Sequence, residues 1–345
     1  MNNVIKIVFV IIGTVIGAGF ASGQEIYTFF YSYGIKGLLG LVICSVLLSI
    51  IMYKVLKILI ENKNIENYKE FLDEIIQNKL SRKYLNVKFV LNNIINIFLL
   101  ITFYIMVAGF GAYFAQELQI NNLIGCVIIA LLSFIVLMTS VKGVIKVNEI
   151  LTPILIIFIT TVGIMNFIKL DLESAISSIT VAKNYGWFIS SILYCSYNSI
   201  LLIPVLITLS KIIKNKKQAQ LTAIISGGII LIISVCIFFM LTRIDIDVAK
   251  LEMPVVYVIS NFFKFLKKLY GLIILSSIFT TSISIGVSLL ENISKDKISY
   301  TQIALIMCIT SVPISKIGFS NLIVVIYPFF GLLGIYQIYK IILKK

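Results

Sequence analysis

The sequence predicts an all-α polytopic membrane protein with about ten transmembrane helices in two inverted repeats of five. Of its 345 residues, 59% are hydrophobic and 13% are charged, whereas a soluble domain carries about 25% charged residues. The mean hydropathy is +1.06, and at about 20 residues per transmembrane helix the apolar runs fill about ten spans. Irregular segments in the first and sixth spans, at corresponding places in the two halves, predict the inverted repeat.

The whole chain, residues 1–345, is predicted to be a single transmembrane domain with repeats over about 1–170 and 171–345. Five spans per half give the two halves opposite orientations, as an inverted repeat requires. The ninth predicted span contains Pro313, which makes it the least regular. The spans are placed near residues 4–33, 37–60, 88–116, 123–141, 149–168, 186–210, 218–242, 269–292, 300–317 and 319–340.

The distribution of basic residues predicts that both termini are cytoplasmic and that the protein lies in the cell membrane. Most lysine and arginine residues fall in segments on the same side as the N-terminus, which the positive-inside rule assigns to the cytoplasm. The largest such segment, about residues 61–87, alternates apolar and acidic positions at helical spacing, which predicts an amphipathic helix. Two further pieces, Pro254–Lys268 and Asp171–Asn184, are expected outside, either as caps over a cavity or as ordinary loop helices.

The composition argues against several classes of function. The chain has no histidine, which removes histidine-based acid–base chemistry and most zinc and haem sites. Its five cysteines lie in apolar stretches without CxxC spacing, as buried small residues do. The net charge of +14 comes from basic residues that lie between the apolar runs. Because they do not cluster in one polar domain, they do not indicate nucleic-acid binding. The sequence therefore predicts no enzyme and no organic cofactor, and the lack of a GxxxxGK[ST] loop argues against ATP-driven pumping.

The first span carries the most informative motif, which runs from Gly13 to Glu25 and has four glycines in its first eleven positions. Glycine costs about 1 kcal/mol relative to alanine inside a helix, and freed backbone groups in a bilayer must be satisfied by protein or by a water-filled cavity. We therefore predict an unwound segment that lines a site. The alternative is that the glycines form small-xxx-small packing faces.

Glu25, the last residue of the motif, is a candidate functional residue because ionisable groups this deep in an apolar run are costly. The alternative is a structural carboxyl that is tied to a neighbouring group.

Polar clusters also interrupt the sixth and eighth spans. Residues Tyr194–Ser199 predict a second helix break, or else a polar patch that packs against neighbouring helices. In the eighth span, residues Ser276–Ser284 are rich in hydroxyl groups, which suit a hard cation such as Na⁺ or bond back to their own helix.

These motifs resemble the YkvI-like bacterial membrane proteins of the amino acid–polyamine–organocation superfamily, which has the LeuT fold. The first span matches their GxxxGAGFASGQE pattern, and residues 196–198 match their SYN element. The resemblance extends over the whole chain in length and layout, and it implies a LeuT-like fold with broken helices 1 and 6.

The resemblance also implies site residues. Sodium would be held by the carbonyls of Gly13 and Ile16 and by hydroxyls of the eighth span, either Thr281 and Ser282 or Thr280 and Thr281. The solute would be bound by the amides of the unwound segment and the break in the sixth span, with Tyr104 or Gly109 as a possible opposite wall. The implied solute-binding residues are Gly17, Ala18, Gly19, Glu25, Tyr104, Ser196, Tyr197 and Asn198.

We therefore expect a secondary transporter that moves an amino acid or a related organic cation or zwitterion across the lipid bilayer by alternating access. Some proton-using relatives place a lysine of the fifth helix where sodium would sit, and the fifth span here, Glu149–Ile168, has none. This favours Na⁺ as the coupling ion, although Glu25 remains a candidate proton carrier. The alternative function is a transporter-fold sensor or receptor subunit that binds a solute without moving it.

Overall fold

A computed structural model describes residues 3–76, 82–168, 185–244, 248, 251–262, 264–294, 296–317 and 319–344. Within these ranges the chain is α-helical with short 3₁₀ turns and has no β-strand. The predicted outer piece Asp171–Asn184 lies outside the described residues. The other predicted outer piece, Pro254–Lys268, begins with a helix over Pro254–Phe262, here called the outer helix.

The predicted spans are all present as helices. Eight are long and apolar enough to cross a membrane, and the remaining two crossings are built from shorter apolar helices, Asn3–Val15 and Asn122–Leu137. Span 1 is divided into 1a (Asn3–Val15), 1b (Ala18–Ala21) and 1c (Gln24–Phe29). Spans 2 to 10 are Ile35–Glu61, Arg82–Leu118, Asn122–Leu137, Ser140–Ile168, Trp187–Leu209, Lys216–Leu241, Lys267–Ile293, Lys297–Ile314 and Phe319–Leu343.

The helices pack in a pattern that repeats between the two halves. Span 1 packs against spans 5 and 7, and the equivalent span 6 packs against spans 10 and 2. Spans 3 and 8, which are also equivalent, pack against each other. Among the eight long helices, spans 6 and 8 are the most buried. The fold is thus two inverted repeats of five helices around a centre formed by spans 1, 3, 6 and 8.

Large apolar side chains on the peripheral spans remain exposed, including Leu39, Leu131, Ile157, Leu272 and Leu332. A soluble protein rarely exposes so much contiguous apolar surface. In a bilayer the same side chains contact lipid tails, and the backbone polar groups are satisfied within each helix. The protein is therefore a multi-pass membrane protein embedded in lipid.

The described part of the predicted amphipathic segment at 61–87 contains a short helix, Tyr68–Ile75, here called the inner helix. Asn67 starts it with a capping box, in which its side chain accepts from the Glu70 amide and Glu70 bonds back to the Asn67 amide. Its apolar face is buried against the protein, and residues from Arg82 onward already belong to span 3. The inner helix and the C-terminus lie at the same end of the molecule, here called the inner end, because Lys344 forms an ion pair with Glu74.

The structure corrects the prediction that span 6 is broken at Tyr194–Ser199, because Trp187–Leu209 is one continuous helix. Two of the polar side chains there bond to carbonyls of their own helix. Asn198 Nδ2 donates to the Tyr194 carbonyl at 3.0 Å, and Ser199 Oγ donates to the Cys195 carbonyl at 2.7 Å. Because such i−4 bonds satisfy polar groups within a helix, the cluster does not require the backbone to open.

Candidate functional site

The helix of span 1 breaks after Val15, at the place where the glycine-rich motif predicts an unwound segment. Gly17 is extended, with φ −89° and ψ −163°, and its amide bonds to the Val15 carbonyl at 3.0 Å. The regular i−4 ladder would have paired that amide with the carbonyl of Gly13. The carbonyls of Gly13 and Thr14 accept instead from Thr281 Oγ1 of span 8, at 2.8 Å and 3.2 Å. Two carbonyls of span 1 and one hydroxyl of span 8 therefore converge at the break.

A second break follows at Gly23, which has a φ of +86° that residues with a Cβ rarely adopt. The carbonyls before it are held from outside the span. Tyr270 of span 8 donates its hydroxyl to the Ala21 carbonyl at 2.6 Å, and the amide of Val255, in the outer helix, donates to the Ser22 carbonyl at 2.9 Å. Segment 1b is thus fixed at one end by span 8 and the outer helix.

A cavity of about 10 Å³ lies beside the first break. This is about the volume that one water molecule or one small ion needs, so a larger solute requires the surrounding side chains to move apart. The cavity is lined by Thr14, Val15, Gly17, Glu25, Thr102, Met106, Tyr197, Asn198, Leu201, Thr281 and Tyr327.

Glu25 is buried at this cavity, with 3% of its surface exposed. Tyr197 of span 6 donates its hydroxyl to Glu25 Oε2 at 2.5 Å. The other oxygen, Oε1, lies so close to Gly19 that a Cβ there would overlap it. The rings of Tyr194 and Tyr327 pack against the Tyr197 ring, with centroids 5.2 Å and 4.6 Å away. The motif's only acid is therefore held at the cavity among tyrosine side chains.

The three hydroxyl residues proposed for sodium binding point in different directions. Thr281 faces span 1, whereas Thr280 donates to the Ser277 carbonyl of its own helix at 3.0 Å. Ser282 donates to the Phe279 carbonyl at 2.8 Å and lies 3.0 Å from the Ser133 hydroxyl on span 4. Only Thr281 of the three thus contacts the released carbonyls in this structure.

Span 5 packs against span 1 at Gly13. A Cβ on Gly13 would overlap the side-chain oxygens of Asn148 and Thr152. Asn148 also donates to Ser284 Oγ of span 8 at 3.3 Å. These amide and hydroxyl groups extend the polar surroundings of Gly13 and Thr281. The structure shows no contact that places the Ile16 carbonyl in this group.

Several predicted solute-binding residues lie away from the cavity. The Tyr104 hydroxyl is 2.7 Å from that of Thr310 on span 9, so it does not face the break. Gly109 packs against Ala18. Ser196 lies against Gly334 of span 10. By contrast, the predicted residues Gly17, Glu25, Tyr197 and Asn198 line the cavity together.

Other lining residues were not predicted from the sequence, namely Thr14, Val15, Thr102, Met106, Leu201 and Tyr327. Thr14 lies within the glycine motif, and Tyr327 directly precedes Pro328, so each had a local signal nearby. Thr102, Met106 and Leu201 are single residues in apolar helices, and no sequence pattern marks them.

The chain is similar along nearly its whole length to a membrane protein of Bacillus subtilis (strain 168) named YkvI. The two are 30% identical over 349 aligned positions, which cover 99% of this chain and 95% of the relative. The chain belongs to the YkvI-like family of membrane proteins. A second Bacillus subtilis protein, named YyaD, is 26% identical to this YkvI-like chain and covers 98% of it. No protein-family model matches the sequence.

Solved structures identify the fold of this YkvI-like protein. The crystal structure of MhsT in complex with L-phenylalanine superposes with a TM-score of 0.68 at 12% identity and covers 96% of this chain and 87% of MhsT. A manganese transporter of Eremococcus coleocola superposes with a TM-score of 0.58 at 15% identity, over 97% of this chain and 73% of its own. The YkvI-like chain therefore has the LeuT fold, and its structural neighbours are membrane transporters.

Proposed function

We propose that this protein is a secondary active transporter that moves a small solute with an amino group, an amino acid or a related amine, by alternating access with Na⁺ as the coupling ion. The observation that carries the proposal is the convergence of the Gly13 and Thr14 carbonyls with the Thr281 hydroxyl, beside a cavity that Glu25 also lines. Transporters with discontinuous helices bind ions and substrates at such breaks.

Na⁺ binding is supported by the chemistry of the converging atoms. Carbonyl and hydroxyl oxygens suit a hard cation, and here they come from two spans that do not neighbour each other in sequence. The Thr281 hydroxyl is 2.8 Å from the Gly13 carbonyl. To bind an ion, this hydroxyl would turn its proton away and present a lone pair beside the two carbonyls. An ion would then link span 1 to span 8.

Alternating access is supported by closure on both sides of the cavity. On the outer side, Tyr270 and Val255 hold segment 1b. At the inner end, the inner helix is fixed over span 8 by a 2.8 Å bond from the Tyr68 amide to Asn292 Oδ1. Each closure joins a short helix to a long span through hydrogen bonds and packing, and hinge or shear movements of packed elements can break such contacts.

The test is solute uptake by purified protein in proteoliposomes, in Na⁺ and in choline buffer, with alanine, leucine, phenylalanine and their decarboxylated amines as probes. We expect uptake of at least one probe, stimulated by an inward Na⁺ gradient. Thr281→Val should abolish the stimulation because it removes the hydroxyl and keeps the side-chain shape. Thr281→Ser should keep it.

Thr280→Val is the matched control, because it makes the same change one residue away, at a hydroxyl bonded to its own helix. If Thr280→Val and Thr281→Val have equal effects on the Na⁺ response, the proposed ion site is wrong. Uptake that is indifferent to Na⁺ contradicts sodium coupling. Probe binding, measured by thermal shift, without any uptake would favour a solute sensor over a transporter.

A further inference from the structure

Glu25 differs from the other ionisable side chains in its burial. Among the described residues it is the only buried acidic or basic side chain. The other glutamates that form ion pairs there, such as Glu117 with Lys267 at 3.1 Å, lie elsewhere in the molecule. None of the ion pairs among the described residues includes Glu25. An ionised carboxylate that is buried without a cation costs several kcal/mol, and such a carboxyl otherwise takes up a proton. A cationic ligand that displaces this proton would supply the missing partner.

A cluster of aromatic rings lies beside this carboxylate. The rings of Tyr197 and Tyr327 stack at 4.6 Å, and both residues line the cavity. Tyr194 packs edge-on against Tyr197 at 5.2 Å, and Phe29 lies 5.6 Å from Tyr197. The faces of aromatic rings attract organic cations, ammonium groups above all. A carboxylate among tyrosines is therefore a suitable environment for an organic ammonium ion.

In the part of the chain that the structure describes, the titratable side chains beside Glu25 are tyrosines. Tyr197 of span 6 and Tyr327 of span 10 line the same cavity, and Tyr194 packs on the Tyr197 ring. Span 7 also packs against segment 1c, and it approaches Gly23 with the apolar side chains of Ile237 and Leu241. None of these groups supplies a positive charge.

The position of Oε1 argues against a second carboxylate at the same place. A substrate carboxylate bound by the amides around Gly19 would lie beside Glu25, because Oε1 already lies against Gly19. Like charges this close repel each other strongly when they are buried. The expectation that the amides of Gly17, Ala18 and Gly19 receive a substrate carboxylate thus conflicts with the charge already there.

Resting on the proposed function, we propose that the solute is a small organic ammonium ion whose charged nitrogen pairs with Glu25 among the rings of Tyr197 and Tyr327. The solute needs no carboxylate. To admit it, the side chains around the 10 Å³ cavity must separate, and the Tyr197 hydroxyl and the ammonium group then share the Glu25 carboxylate.

The test compares matched solutes on the purified full chain by thermal shift and calorimetry, in Na⁺ and in choline. Alanine, valine, leucine and phenylalanine are each paired with the amine that lacks the carboxylate and the acid that lacks the amine. We expect the amines to bind, the amino acids to bind more weakly and the acids not to bind. Glu25→Gln should weaken amine binding about a hundredfold, as the loss of one partner from a buried charge pair does.

Glu117→Gln is the control, since it removes one negative charge from a glutamate that pairs with Lys267; it should leave amine binding unchanged. Size-exclusion chromatography checks that Glu25→Gln is folded. If Glu25→Gln is not folded, the inference is decided by whether amines bind the unmodified protein more tightly than the matched amino acids do.

Tighter binding of the amino acids than of their amines, or amine binding that survives in Glu25→Gln, overturns the inference. If amino acids bind better and are taken up with Na⁺ stimulation, the proposed function stands and only this inference fails. If no solute of the set binds or is taken up, both fail.

Discussion

The hydroxyl of Tyr197 on span 6 donates a 2.5 Å hydrogen bond to Glu25, which lies in the first turn of the last segment of the broken span 1. Spans 1 and 6 are equivalent in the two repeats, so this bond joins the repeats at the cavity. Tyr197 also stacks on Tyr327 of span 10 at 4.6 Å. A solute that pairs with Glu25 would therefore change a contact between the two halves, which is how local binding can bias a rearrangement of packed helices.

Tyr197→Phe should lower the stability of the protein by about 1–3 kcal/mol, because it leaves a buried carboxylate oxygen without its donor. The ring stays and keeps its stacking. The measurement is thermal unfolding in detergent. Tyr194→Phe is the control, since the Tyr194 hydroxyl has no hydrogen-bond partner among the described residues and its loss should have a smaller effect. Equal losses for the two variants would show that the bond to Glu25 is not stabilising.

The break in span 1 could be predicted from the sequence because its signal is local. Glycines such as Gly13, Gly17 and Gly23 destabilise a regular helix, so their clustering in a membrane span indicates a place where the backbone opens. The signal at Tyr194–Ser199 was ambiguous for a physical reason. The side chains of Asn198 and Ser199 donate hydrogen bonds to carbonyls of their own helix. The sequence alone does not distinguish this outcome from an opened backbone.

The sequence also does not determine which hydroxyl of span 8 belongs to the proposed ion site. Successive residues of a helix point about 100° apart, so only the rotation of span 8 decides whether Thr280, Thr281 or Ser282 faces span 1. Packing against span 1 selects Thr281. Tyr327 and Thr102 join the cavity for the same reason, because the arrangement of spans 3 and 10 brings them there.

Asn292→Ala should open the inner end. Asn292 accepts the Tyr68 amide at 2.8 Å and bonds to Asn96 at 2.5 Å, so its loss releases the start of the inner helix from span 8. Ser288 lines a small cavity beneath Tyr68, and a Ser288→Cys probe reports access to it. We expect thiol labelling of this probe to be several times faster when Asn292 is replaced.

Asn92→Ala is the control for the inner end, because Asn92 approaches Asn292 only at 3.4 Å. It should leave the labelling rate of the Ser288→Cys probe close to that of the parent. The native cysteines of the described chain are buried or half-buried and give the background rate. Unchanged labelling in Asn292→Ala would mean that the Tyr68 bond does not hold this end closed.

The membrane orientation remains a prediction from the positive-inside rule, and it can be tested with cysteines at the two ends. Lys344→Cys is expected to react with an impermeant thiol reagent only after cells are opened, because the C-terminus is predicted to be cytoplasmic. Phe262→Cys, at the exposed end of the outer helix, should react in intact cells. The reverse pattern would invert the assignment of both ends.

A double-mutant cycle tests whether Gly19 is required by the position of Glu25. Gly19→Ala places a methyl group against Oε1 of Glu25 and near the Ile323 side chain, so the carboxylate must move and its bond to Tyr197 must distort. We expect a loss of about 1–3 kcal/mol, typical of overpacking. Glu25→Ala removes the overlapping atoms, so Gly19→Ala should cost much less in that background. The coupling should be of the order of 1 kcal/mol or more, as for residues in contact. Gly228→Ala, where a Cβ meets nothing within 4 Å, is the control and should be neutral or slightly stabilising because alanine favours helix.

If the effects of Gly19→Ala and Glu25→Ala on stability are additive, the Glu25 carboxylate does not contact Gly19. The argument against a second carboxylate at that place then loses its basis.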